Sequence, residues 1–91
     1  MKVISWDARK NELLRQERDV TYEEVVIAMD DGNILDVIEH RNMQKFGHQL
    51  IFVIVINNYA YMVPFVETDN EIFLKTIIPS RKLTKIYLIN K

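Results

Sequence analysis

The chain has 91 residues, 48% of them hydrophobic and 27% charged, with a formal net charge of −1. That length makes a single domain over residues 1–91 with a modest core, and the apolar share excludes a fully disordered chain. With no cysteine, a disulfide framework and a thiolate metal site are both excluded, and His40 and His48 are too few and too separated to suggest zinc. The longest apolar run, the seven residues from Leu50 to Ile56, is far short of the ~20 that a membrane helix needs. The opening Met1-Lys2-Val3-Ile4-Ser5-Trp6-Asp7 turns polar too soon for a secretory signal. A soluble cytoplasmic protein is expected.

Lys2 to Ser5 reads as a short strand. Asp7 is a natural N-cap for a helix from Ala8 to about Glu17, with Leu13 and Leu14 facing inward. Arg9, Lys10, Arg15 and Arg18 leave much of that helix surface positive. A second helix starts at the capping box Thr21-Tyr22-Glu23-Glu24, where Val20 and Val25 stand in staple positions. Val25, Val26, Ala28 and Met29 form its apolar side, and Gly32 stops it.

The pattern then changes to strands. Ile34 to His40 alternates in part, and Leu50 to Ile56 is the strand of a sheet centre covered on both sides. Asn57-Asn58 closes a hairpin, because asparagine tolerates positive φ. Tyr59 to Glu67 returns antiparallel, and Pro64 demands a bulge or a gap in its ladder. Ile72 to Pro79 is the last strand, after which Ser80 caps a short helix carrying Lys82, Lys85 and Tyr87. The expected fold class is α+β, with two N-terminal helices packed on a four-stranded antiparallel meander sheet and a short C-terminal helix. The second face of the sheet is left to the tail, to a partner, or partly open.

Charge is unevenly distributed. Residues 17 to 39 carry eight acids against one base, Arg18, whereas residues 75 to 91 carry five bases and no acid. A chain with two such ends could bind an anion at one and a basic partner at the other; two solvated faces are the plainer alternative. Arg81, at the end of a strand beside Lys82, suits a phosphate, since a guanidinium holds two phosphate oxygens at once. Lys75 on the preceding strand could share a face with it. Lys82 and Lys85 suit the screening of an RNA backbone. His48 lies in a polar loop with Arg41 and Lys45 and could move protons near neutral pH. Tyr87 could stack on a base or pack the tail onto the sheet.

Several segments resemble the BrnT family of toxins from bacterial toxin–antitoxin pairs, whose fold is RelE-like. They are Trp6-Asp7 with Lys10-Asn11, then Val20-Thr21-Tyr22-Glu23-Glu24-Val25, and finally Ile77-Ile78-Pro79-Ser80-Arg81-Lys82 with Tyr87 beyond. The resemblance implies a metal-independent and cofactor-independent endoribonuclease acting on mRNA, with or without the ribosome, and so inhibiting translation. Arg81, Lys75 and His48 are then the catalytic candidates. Arg41, Lys45, Lys82, Lys85 and Tyr87 are the RNA-binding ones. It also implies a small ribbon-helix-helix, DNA-binding antitoxin as partner, which would cover the open sheet face or the basic site. Without that partner the chain could self-associate as a homodimer through the same surface. The chain departs from the family at Glu17, Arg18 and Asp19, where a basic residue, a histidine and a glycine are usual. It departs again at Lys75-Thr76, where a further arginine is common, and at Pro79. These departures keep a second reading open: a non-catalytic RelE-like binding module, or a degenerate toxin that acts only with a partner.

Overall fold

A computed structural model describes residues 2–39 and 50–89. The structure is α+β with a mixed sheet. In chain order the elements are β1 (Val3–Ser5), α1 (Ala8–Arg18), α2 (Tyr22–Asp30), β2 (Ile34–Glu39), β3 (Leu50–Ile56), β4 (Tyr59–Glu67), β5 (Glu71–Leu74), β6 (Ile78–Pro79) and α3 (Arg81–Thr84), which runs on into a π-helical turn, Lys85–Ile89. The sheet order is β1-β5-β4-β3-β2, with β6 also paired to β4. The expected antiparallel meander is present from β2 to β5, but it is not the whole sheet. β1 adds an edge strand parallel to β5, with Val3 opposite Glu71 and Ser5 opposite Phe73.

The last strand is also not continuous. Leu74 pairs with Phe65, and Ile78 with Met62. Four steps on this strand thus face three on β4, and the one residue in excess splits it into β5 and β6. Ile77 in the interruption is fully buried. Its carbonyl accepts from the Arg18 guanidinium at the end of α1. Pro64 needs no bulge in the β3–β4 ladder, whose register is unbroken from Leu50–Phe65 to Ile56–Tyr59. The Pro64 carbonyl accepts from the Lys75 amide. A strand residue's N and O point the same way, so the missing N–H faces the gap between β5 and β6 and costs the β3 pairing nothing.

Local chemistry sets the helices. The Asp7 carboxylate accepts from the amides of Arg9 and Lys10 and starts α1. Of the two leucines expected inward, Leu14 is buried but Leu13 is 46% exposed. Consecutive helix residues stand about 100° apart, and α1 presents too narrow an apolar stripe to bury both. The α2 capping box is complete: Thr21 Oγ1 accepts from the Glu24 amide, and Glu24 accepts from the Thr21 amide. Asn11 clasps the two helices by accepting from the Tyr22 amide and donating to Glu23, both at 2.8 Å. That hydrogen bond is the leading cause of the lowered Glu23 pKa. Asp19, where a glycine would be expected, takes φ 55°; Gly32 takes φ 77° after α2.

The helices cover one face of the sheet. There Leu14, Val20, Tyr22, Val25 and Ala28 pack against Phe52, Ile54, Ile56, Val63, Phe65 and Leu74. The Phe52 and Phe65 rings stack at 3.9 Å between centroids, and Trp6 stacks on Tyr22 at 5.5 Å. Tyr22 is fully buried, and its hydroxyl has no hydrogen-bond partner among the described residues. Burial, with the Asp7 charge adding to it, pushes its pKa up to about 12. No helix among the described residues is long and apolar enough to cross a membrane.

Candidate functional site

The opposite face of the sheet is crossed by the tail, α3 and the π-helical turn. This chain segment holds Arg81, Lys82 and Lys85, three of the cations singled out above. Its attachment is built from hydrogen bonds. Ser80 N–H donates to the Ala60 carbonyl at 2.9 Å, and the Ala60 N–H donates to Thr84 Oγ1 at 2.9 Å. The Thr84 hydroxyl in turn donates to the Ser80 carbonyl at 2.7 Å. Both polar groups of one β4 residue are thus satisfied by the tail, which explains a threonine buried to 6% between Leu83 and Lys85. Ser80 Oγ accepts from the Leu83 amide and caps α3 as expected. At the far end the Tyr87 hydroxyl donates to Asp36 Oδ2 at 2.8 Å, while Asp36 Oδ1 accepts from the Val37 amide. One carboxylate therefore holds the tail to the β2 edge. The hydrogen bond to Asp36 is the main reason the Tyr87 pKa is raised.

This anchoring points Leu83, Thr84, Tyr87 and Leu88 at the sheet and leaves Arg81, Lys82 and Lys85 exposed. The two ion pairs among the described residues are Lys2–Glu67 and Glu12–Arg15. Arg81, Lys82, Lys85 and Lys75 therefore have no carboxylate partner there. A groove of about 380 Å³ opens beside Lys82, with Ile38, Ile51, Met62 and Leu83 as its apolar lining, Ser80 and Lys82 on the tail side and Glu39 on the β2 side. Cations next to an apolar slot can hold a phosphate while a flat apolar group lies alongside.

Lys75 is on the same side of the sheet, its amine 6.0 Å from the centre of the Phe73 ring. It is not beside Arg81. Lys75 is anchored at Pro64 and Ser80 at Ala60, which is roughly 13 Å along a strand. Arg41, Lys45 and His48 lie outside the described residues. Tyr87 has its hydroxyl committed to Asp36. The described cationic candidates thus divide into a group of three on the tail and a separate lysine, with Tyr87 as a tail anchor.

Sequence reasoning missed Asp36 and Thr84, on which the tail's position depends. Thr84 had a weak signal, a hydroxyl residue four after the helix cap Ser80. Asp36 had none, since its partner is 51 residues away. Several residues that carry the family resemblance have local structural work. Trp6 stacks on Tyr22, Asp7 and Thr21 cap helices, and Asn11 clasps them.

No family model matches the chain, and no curated protein or solved structure matches it.

Proposed function

We propose that the chain is a BrnT-type toxin with a RelE-like fold, a cytoplasmic endoribonuclease that cleaves mRNA, inhibits translation and is held in check by a small ribbon-helix-helix antitoxin. The observation that carries this reading is the tail cluster: Arg81, Lys82 and Lys85 exposed on one short helical segment, without carboxylate partners among the described residues, with Lys82 on the rim of a largely apolar groove that Glu39 also borders. Such a cluster suits an RNA backbone.

In the proposed reaction a ribose 2′-oxygen attacks the adjacent phosphorus and the bond to the 5′-oxygen breaks. The products are a 2′,3′-cyclic phosphate and a 5′-hydroxyl. The 2′-hydroxyl proton leaves and the 5′-oxygen gains one, which are tasks for a group such as His48. Arg81 places two donors on the charge that builds on the non-bridging oxygens. Lys82 and Lys85 hold flanking phosphates.

The second reading, a binding module without catalysis, is favoured by the roughly 13 Å along β4 between the anchor points of Lys75 and of Ser80, the residue before Arg81. It would leave Arg81 without a second cation from the described strands.

Purified protein is incubated with a defined RNA in EDTA, beside Arg81→Ala, with folding of both checked by circular dichroism. The toxin reading expects 2′,3′-cyclic phosphate ends from the parent and a loss of about 100-fold or more in rate for Arg81→Ala. No cleavage, either alone or with translating ribosomes, leaves the binding module as the account. Cleavage undiminished in Arg81→Ala removes that residue from the mechanism.

A further inference from the structure

Two surfaces among the described residues have features that the proposed reaction does not use. The first is the outward side of the tail. Lys82, Lys85, Ile86 and Ile89 recur there at helical spacing, and Ile86 and Ile89 are 49% and 67% exposed. Phosphate binding uses the lysines but gives no reason for two exposed isoleucines beside them. The second lies between the C-terminal half of α2 and the end of β3. There a shallow groove of about 220 Å³ is bordered by Glu24 and Asp31, with Ile27, 60% exposed, on its wall.

The two surfaces are complementary. One is cationic and apolar and convex; the other is acidic and apolar and concave. An amphipathic helical segment laid in a groove is a common way for such surfaces to meet. They cannot meet within one molecule, because α2 covers one face of the sheet and the tail crosses the other.

We propose that the tail of one copy docks in the α2–β3 groove of a second copy. Ile86 and Ile89 pack on Ile27, and Lys82 and Lys85 face Asp31 and Glu24. The contact is heterologous, so it builds chains or a closed ring rather than a two-fold dimer. Lys82, Lys85 and Asp31 are exposed and Glu24 is half-buried, so the contact is weak, concentration-dependent and weakened by salt. It covers Lys82 and Lys85, and so an assembled copy presents less of its cationic tail. The proposal stands on the two surfaces and does not require the chain to be a nuclease.

The test is sedimentation equilibrium of the full chain over a range of concentrations, at low and high salt. The variants are Lys85→Glu, Asp31→Lys and Ile27→Ser, all at exposed positions, with folding confirmed by circular dichroism. The expected result is self-association that falls about tenfold for each single variant and at high salt. It is regained when Lys85→Glu and Asp31→Lys molecules are mixed, because one reversed tail then meets one reversed groove. A monomer at all concentrations overturns the proposal. So does association that ignores these substitutions, or a discrete two-fold dimer that survives in all three variants.

Discussion

The two faces of the sheet are held in different ways. The helix-covered face is a packed apolar interior, in which Tyr22, Val25, Ile54, Val63, Leu74 and Ile77 are fully or almost fully buried. The tail-covered face has a smaller apolar patch, which includes the fully buried Val53, and is fastened at a few polar points, Ser80 and Thr84 on Ala60 and Tyr87 on Asp36. Burial of apolar surface supplies most of a fold's stability, whereas a hydrogen bond contributes about 1 kcal/mol net. The first face should therefore set global stability. The second should be able to loosen without unfolding the chain, and it is the one that carries Arg81, Lys82 and Lys85.

The largest effect that tests this contrast is a cavity in the first face. Ile54→Ala should cost about 3–4 kcal/mol in urea denaturation, spread over the whole molecule. Alkali should act on both faces. Tyr22, Tyr61 and Tyr87 all have raised pKa values, Tyr22 at about 12. The folded state holds these protons more tightly than the unfolded chain. The associated stability is therefore complete below about pH 10 and is lost as pH rises towards 12, by about 2–3 kcal/mol for Tyr22 alone. Melting temperature against pH should show the fall, and Tyr22→Phe should reduce it. Tyr22→Phe should cost no stability at neutral pH, because the hydroxyl it removes is buried without a partner among the described residues.

Smaller and local effects belong to the tail. Thr84→Val removes the acceptor for the buried Ala60 amide and should cost about 1–2 kcal/mol. Hydrogen exchange should then quicken at tail amides and at Ala60 while β3 stays protected. Equal quickening everywhere would erase the distinction between the faces. The smallest change expected is a gain. Asp19 holds φ 55° at the end of α1, and Asp19→Gly should stabilise by a few tenths to ~1 kcal/mol in the same denaturation assay.

What was legible in the sequence was local. Asp7, the Thr21–Glu24 box, Gly32 and Ser80 act within four residues of their own position. Asn57 and Asn58 take φ 53° and 63°, as a tight hairpin requires. The meander followed from such signals because the turns at Asn57-Asn58 and between Glu67 and Glu71 are short. What escaped depends on partners far along the chain. Val3–Ser5 found β5 some 68 residues on. The break after Leu74 arises from a one-residue mismatch with β4, which no periodicity within the strand displays. At the site, the cationic tail was visible in composition, and its cap in Ser80.

The most direct test of the account is a map of RNA contact on the folded chain. A short single-stranded RNA is titrated into isotope-labelled protein, and amide shifts are followed by NMR at two salt concentrations. The account predicts salt-sensitive changes at Arg81, Lys82 and Lys85 and at the neighbouring groove residues Met62 and Leu83, with α1 unmoved. Changes centred on the helix-covered side, or none at low salt, would contradict it.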